Sequence, residues 1–375
     1  MALPETLPED RAAAPGGTPT GATGARQGFA ARGLLVALVS AAAFGTSGPF
    51  AKSLLEAGWT PGSTVFLRIA GAALLLLVPT VRVLSGRWHL LRRSWRQVLV
   101  YGAMAVALPQ LAFFYAVDTL SVGVALLLEY LGLVLVVAYQ AVLRRRWPAL
   151  PTLAGIVLAV GGLALVLDLP GLLRGGGVEI SGVGVAWGLL AALGLASYFV
   201  MSGASHEDSL PPLALAGAGL VVASVGFAVL GLVGVLPMTF RADDVELAGA
   251  VLPWWVPVLE LGAVAAATAY VTGIVAARLL GAKVASFVGL SEVLFAVLFA
   301  WLLLGQLPGL VQLAGGLLIL AGVVAVRLEE AGGEPTDDAS PVAAAGSGGA
   351  PVPVEAEPLG PGEPDGRRGV EDLHR

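Results

Sequence analysis

Residues 120–143 read LSVGVALLLEYLGLVLVVAYQAVL, a run whose single charge, Glu129, lies near its middle. A bilayer crossing takes about 20 mostly apolar residues, so this run is long enough to span. Residues 282–304, AKVASFVGLSEVLFAVLFAWLLL, repeat the pattern with Glu292 at the centre. An ionisable group at bilayer depth costs roughly 2.5–3.5 kcal/mol on insertion scales, and chains keep such groups where they line a cavity or a path. Two embedded carboxylates at nearly matched places therefore point to a transporter rather than to a membrane anchor.

The same reading, carried outward, finds ten candidate spans: 33–55, 61–83, 96–117, 120–143, 148–167, 182–202, 211–235, 254–277, 282–304 and 308–327. Composition agrees, with 57% apolar residues, 13% charged and a mean hydropathy of +0.86. A soluble domain is about 25% charged. The expected fold is an all-α polytopic membrane protein. Gly and Ala fill much of the apolar sequence, and small residues let helices approach closely in lipid. The absence of Cys excludes disulfides, thiolate metal sites and Cys nucleophiles. The net charge of −5 says little about partners, because most of the acid excess lies in the tails.

The first residues lack the apolar core of a signal peptide, and the run from Gly33 outlasts one, so it reads as a retained span. The stretch 329–375 is rich in Gly, Pro, Ala and acids, a composition that cannot bury a core. Basic residues flanking the spans set the orientation. With the N-terminus inside, thirteen cations lie near the inner surface: Arg26, Arg32, Arg82, Arg87, Arg92, Arg93, Arg96, Arg144, Arg145, Arg146, Arg278, Lys283 and Arg327. Outside are Lys52, Arg174 and Arg241. The imbalance puts both termini in the cytoplasm. The loop His206–Asp208 carries no cation and adds nothing to it.

An internal repeat organises the spans. An ungapped shift of 160 residues brings Pro148, Leu150, Leu153, Ala154, Gly155, Leu158, Gly162 and Val166 onto Pro308, Leu310, Leu313, Ala314, Gly315, Leu318, Gly322 and Val326. The same shift pairs Gly102, Ala103, Ala105 and Ala107 with Gly262, Ala263, Ala265 and Ala267. A shift of 149 pairs Gly33, Val36, Ala37, Ala42, Ala43, Gly45 and Phe50 with Gly182, Val185, Ala186, Ala191, Ala192, Gly194 and Phe199. Five spans per unit is odd, so the two units lie in opposite orientations. The expected organisation is a disordered cytoplasmic tail (1–30), a first five-helix repeat (31–168), an extracytoplasmic linker (169–181), a second five-helix repeat (182–328) and a disordered cytoplasmic tail (329–375). Inverted repeats give inward-open and outward-open states of similar energy, with substrate bound between them at the midplane. At 1.5 Å rise per residue both Glu129 and Glu292 lie roughly 14–15 Å deep, near that midplane.

On these residues the chain resembles the EamA family of the drug/metabolite transporter superfamily. The resemblance rests on the ten spans in two repeats, on Phe66-Leu67-Arg68, and on one phrase in each half. Leu128-Glu129-Tyr130-Leu131-Gly132 is similar to the Glu-aromatic-x-Gly signature of the threonine/homoserine exporter branch. Ser291-Glu292-Val293-Leu294-Phe295-Ala296, followed by Trp301-Leu302-Leu303-Leu304-Gly305-Gln306, resembles a Glu-Pro-x-x-Ala run closing in Leu-Gly-Glu. Leu133 and Val293 stand where the family often has Pro. Gln306 and Arg145-Arg146 depart from its closing motifs, so those terminal carboxylates have no role to carry over.

Glu129 and Glu292 are candidates to bind a substrate amine or carry a proton, because a carboxyl held from water takes up protons more readily. The alternative is a structural carboxylate hydrogen-bonded within the bundle. Arg68, roughly 10 Å deep, suits a substrate carboxylate or neutralises Glu129; alternatively it snorkels to headgroups. An Arg with two Glu at similar depth suits a zwitterion. Gln110 and Tyr270 match under the 160 shift, and Pro109 beside Gln110 frees a backbone carbonyl. Trp187, Tyr198, Thr268 and Ser291 are further cavity candidates, with packing or the interfacial belt as the alternative for the aromatics. Thr46 and Ser47 are expected to bond their own helix backbone. Arg92–Arg93 and Arg144–Arg146 read as orientation signals and anionic-lipid contacts, not as a nucleic-acid surface.

His89, His206 and His374 lie in loops or the tail, so no metal site is expected, and no Walker-type Gly loop is present. No cofactor is expected. An intramembrane hydrolase would need a nucleophile with a base, and no His or Cys lies within the spans, so the chain is not expected to be an enzyme; Glu129 and Glu292 brought together as a dyad are the alternative. The expected function is secondary transport, with export of an amino acid or related metabolite favoured, protons as a candidate coupling ion, and an inner-membrane location. Uptake, a non-transporting or lipid-handling role, and a monomeric or homodimeric state all stay open.

Overall fold

The computed structural model describes residues 20–144, 150–168, 180–202 and 210–332. Most of the expected tails and linker, Arg145–Arg146 and the His206–Asp208 loop lie outside the described residues. The chain within them is almost wholly helical. Its elements are α1 (Thr20–Glu56), α2 (Pro61–Leu84), a short α3 (Trp88–Arg93), α4 (Trp95–Thr119), α5 (Val122–Arg144), α6 (Leu150–Val166), α7 (Gly182–Ser202) and α8 (Pro212–Leu232). A small antiparallel hairpin follows, β1 (Val245–Leu247) and β2 (Ala250–Leu252), then α9 (Trp255–Leu280), α10 (Ala282–Gly289), α11 (Ser291–Leu304) and α12 (Leu310–Gly332).

Among the described residues, eight helical stretches are long and apolar enough to cross a membrane, with α10 and α11 counted together as Val284–Leu304. Shorter apolar stretches, Thr152–Val166 and Leu310–Ala325, stand at the fifth and tenth expected spans. Leu74, Leu150, Leu232 and Leu310 point outward, as expected where the surrounding medium is hydrocarbon. The first helix starts at Thr20, inside the stretch expected to be a tail. Its start, TGATGARQGFAARG, holds as many Gly as Ala, so helix propensity does not account for the extension beyond the apolar run.

The helix ends follow local chemistry. Thr60 caps α2 through its hydroxyl and Pro61 takes the first turn, where a missing N–H costs nothing. Gly305 closes α11 in the left-handed region (φ 67°), which its lack of a Cβ permits. The hairpin turns through Ala248 (φ 55°) and Gly249 (φ 74°), the two positive φ values that a tight two-residue turn requires. Ala248 N donates to Leu303 O, and the Lys52 ammonium donates to the Val117 and Asp118 carbonyls. These ties gather the ends of α1, α4 and α11 and the hairpin on one face. The cluster Arg82–Arg96 lies on the other.

Two helices are wound wide in the middle. In α4 the π-wound turn is Tyr101–Ala107, and in α9 it is Glu260–Thr268. In α4 the cause is adjacent: Pro109 has no N–H to give to the carbonyl four residues back.

Packing crosses the chain. α6 lies on α12, α5 on α7, α1 on α11 and on α9, α4 on α7, α2 on α8, and the two wide turns lie against α2 and α8. Glycine sets the closest approaches. A Cβ on Gly162 would sit 2.5 Å from Gly315 O, and one on Gly315 would sit 2.6 Å from Gly162 O. Gly322 likewise abuts Gly155. Contacts that rise in number on one helix fall on the other, so α6 and α12 run antiparallel. Gly188 meets Leu128 and Gly132 meets Ala192, so α5 and α7 run parallel.

Candidate functional site

Five helices converge on a small internal void. α1 brings Gly45, Ser47 and Gly48; α2 brings Arg68; α4 brings Gln110 and Phe113; α5 brings Val122, Leu126 and Glu129; and α11 brings Glu292 and Ala296. Its free volume is about 10 Å³. That is about what one water needs. Four expected site residues therefore meet in one place: Arg68, Gln110, Glu129 and Glu292. All are buried, Glu129 and Glu292 at 2% exposure and Arg68 at 3%.

The polar contacts are specific. The Tyr130 hydroxyl donates to Glu292 Oε2 at 3.1 Å, tying α5 to α11. Arg68 Nη2 reaches Ala265 O, in the wide turn of α9, at 3.4 Å, and the guanidinium carbon lies 5.6 Å from the Phe114 ring centroid. Such a cation over an aromatic face is attracted by the ring quadrupole. Arg68 Nε is buried without a hydrogen-bond partner. Its charge reaches Glu129, Glu260, Glu292 and Tyr270.

Glu260 is a third embedded carboxylate, and the sequence reading passed over it. One oxygen accepts from the Thr46 hydroxyl, while Oε2 is buried without a partner. The same hydroxyl lies 2.6 Å from Ala43 O, so its single proton serves two acceptors. The signal was present in the sequence: Glu260 falls inside the expected span 254–277, but close enough to its end to pass as a headgroup-level residue. Tyr130 and Ser47 were also missed as site residues. The Ser47 hydroxyl, expected to bond its own helix, lines the void and has no partner.

The other expected residues lie elsewhere. Tyr270 is buried beside the site, edge-on to Phe44 at 5.6 Å between centroids. Trp187 stacks on Tyr115 at 4.5 Å, and Tyr198 packs against Tyr101 and Phe199. Thr268 is exposed and donates to Ala263 O within its own helix, and Ser291, at the start of α11, donates back to Val288 O of α10. None of these five lines the void.

Beside the void, on the hairpin face, a vestibule of about 260 Å³ opens between the ends of α4, α5, α7, α11 and α12. Thr119, Ser121, Ser181, Gln306 and Gln312 give it a polar rim, and Gly123, Val124, Val297 and Ala300 also line it. Val122 seats on Gly48 between vestibule and void, and its backbone N–H donates to Gln306 Oε1 at 3.2 Å. The arrangement is an occluded cavity under a one-sided opening. Among the described residues no group of His, Asp and Glu is placed to hold a metal ion.

The profile of the EamA-like transporter family matches residues 31–168 and again 182–328. The chain belongs to that family. This EamA member is 24% identical over 310 residues to the uncharacterized inner membrane transporter YicL of Salmonella typhimurium, which covers 80% of this chain and 97% of the relative. A solved crystal structure shares the fold with a TM-score of 0.51 at 20% identity, over 81% of this chain and 99% of the other. The site above therefore belongs to a multi-pass membrane protein of a transporter family, and a small-molecule substrate follows from that membership.

Proposed function

We propose that the protein is a secondary transporter that exports an amino acid or related small metabolite by alternating access, with protons as the coupling ion. The observation that carries the reading is the buried void where Arg68, Glu129 and Glu292 meet under a one-sided vestibule. A guanidinium beside carboxylates offers complementary charge to both ends of a zwitterion. Three carboxylates stand near one fixed cation, so the cavity gains balance by binding protons, a cationic substrate group, or both. The void is too small for an amino acid, which suits a substrate-free, occluded stage of the cycle.

In this reading the chain has ten spans in two inverted five-helix repeats, 31–168 and 182–328, joined by a 169–181 linker, with both termini in the cytoplasm of an inner membrane. Packing supports it. Exchange α1 with α7, α2 with α8, α4 with α9, α5 with α11 and α6 with α12, and the contact of α1 on α11 becomes that of α7 on α5. Likewise α1 on α9 becomes α7 on α4, and α2 on the α9 wide turn becomes α8 on the α4 wide turn. The paired glycines map onto themselves: Gly162 with Gly315 becomes Gly322 with Gly155. Such a pseudo-two-fold lets the two halves trade roles. The arginine-rich face is then cytoplasmic, and the vestibule faces outward.

The test is counterflow in proteoliposomes preloaded with pooled amino acids and related metabolites, comparing the natural protein with Glu129→Gln and Glu292→Gln. Loss of transport, or transport that no longer depends on pH, in a folded variant supports coupling through these carboxylates. Normal transport in both variants overturns the mechanism and leaves the fold standing.

A further inference from the structure

A third concavity, of about 390 Å³, opens near the arginine-rich face and is separate from the carboxylate void and the vestibule. It lies between α2, α8 and the short α3 with the start of α4. Leu77, Leu91, Trp88, Trp95 and Val221 line it, together with Thr80. Trp88, Leu91 and Trp95 fall at i, i+3 and i+7, one face of a surface helix interrupted at Ser94. Two half-exposed Trp at a helix-end level mark the membrane interface.

The rim is strongly basic. Arg82, Arg87, Arg92, Arg93 and Arg96 are all exposed within one turn region. No Asp or Glu occurs in α2, α3, α8 or anywhere between Glu56 and Asp118. Arg96 holds its guanidinium carbon 5.4 Å from the Trp95 ring centroid, at the mouth of the groove. At its floor Thr80 lies one turn from the end of α2, its hydroxyl buried against Gly217 of α8. An apolar trough below a set of exposed arginines complements an anionic lipid, with the acyl chain in the trough and the phosphate at the rim.

We propose that this groove binds one anionic phospholipid from the leaflet on the arginine-rich face. Its acyl chain lies along Leu77, Leu91 and Val221, and its phosphate sits among Arg87, Arg92 and Arg96. The site joins α2 to α8, so the lipid bridges helices that the proposed exchange assigns to opposite halves. The lipid site itself does not depend on that reading.

The experiment is native mass spectrometry of the purified full chain in mild detergent, titrated with palmitoyl-oleoyl phosphatidylglycerol or the matching phosphatidylcholine. One phosphatidylglycerol is retained per chain, at least about tenfold more tightly than phosphatidylcholine. An arginine near an anionic surface contributes roughly fivefold, so Arg87→Gln/Arg92→Gln/Arg96→Gln together weaken retention on the order of a hundredfold. Val221→Trp keeps every charge but fills the trough, and retention is lost. Val221 is 41% exposed, so a larger side chain there meets open space rather than the core, and Leu77→Trp at a 45% exposed position is the second check, with an unchanged melting temperature showing that each variant is folded. Equal retention of phosphatidylcholine overturns the proposal, as does undiminished phosphatidylglycerol binding in both Trp variants. A dimer mass without lipid, lost in Val221→Trp, also overturns it by assigning the groove to a second copy of the chain.

Discussion

Tyr130→Phe removes one oxygen from the middle of the bundle, and its cost follows from the geometry. The hydroxyl lies 3.1 Å from Glu292 Oε2, and both residues are nearly sealed, at 3% and 2% exposure. A hydrogen bond to a charged group is worth about 1.5–3 kcal/mol, and leaving a buried acceptor unsatisfied costs about 1–3 kcal/mol. The Phe variant should therefore lose about 2 kcal/mol. In a Glu292→Met background the same substitution breaks no bond to a carboxylate, so it should cost less than in the natural protein. The assay is a four-protein cycle of unfolding in one detergent, which isolates the pairwise term. An equal cost of Tyr130→Phe in both backgrounds refutes the reasoning. The bond joins α5 to α11, so its loss should also change the counterflow rate once a transported compound is known.

Other outcomes follow from neighbouring contacts. Arg68→Leu removes the bond to Ala265 O and the cation nearest the carboxylates, and should destabilise by about 1.5–3 kcal/mol; Glu260→Gln should restore part of that loss in a thermal melt. Gly162→Ala forces the helices apart from a 2.5 Å approach, and overpacking of this kind costs about 1–3 kcal/mol. Gly315→Ala should cost a similar amount, and the double variant less than the sum, because one separation admits both methyl groups. Thr46→Val removes the donor to Glu260 and should lower the melting temperature, whereas Thr46→Ser should not.

Much of the fold could be read from the sequence because hydrocarbon imposes a single demand. The runs at 61–83, 96–117 and 282–304 reappear as Pro61–Leu84, Trp95–Thr119 and Val284–Leu304. Arg68, Gln110, Glu129 and Glu292 were legible for the same reason: a polar group in an apolar run is conspicuous. Tyr130 was not, because a Tyr in a span passes as packing until its hydroxyl is seen on Glu292. Trp187, a cavity candidate in the sequence, lies outside the void and stacks on Tyr115. The wide turn of α9 was also hidden. Its sequence ELGAVAAAT has ordinary helical composition, and only the packing of Gly262 against Gly71 shows how close the helices come.

That wide turn has a mechanical consequence. A π-wound segment carries one surplus residue relative to an α-helix of equal length, and it can be handed along the helix as a crease travels along a carpet. Ala265 O, which receives Arg68, belongs to this segment. If the crease moves by a turn, that carbonyl swings away and the guanidinium is released, while both ends of the helix stay where they are. Side chains at the centre of the membrane can thus be re-aimed by bookkeeping within a helix, with no loop opened and no hinge bent.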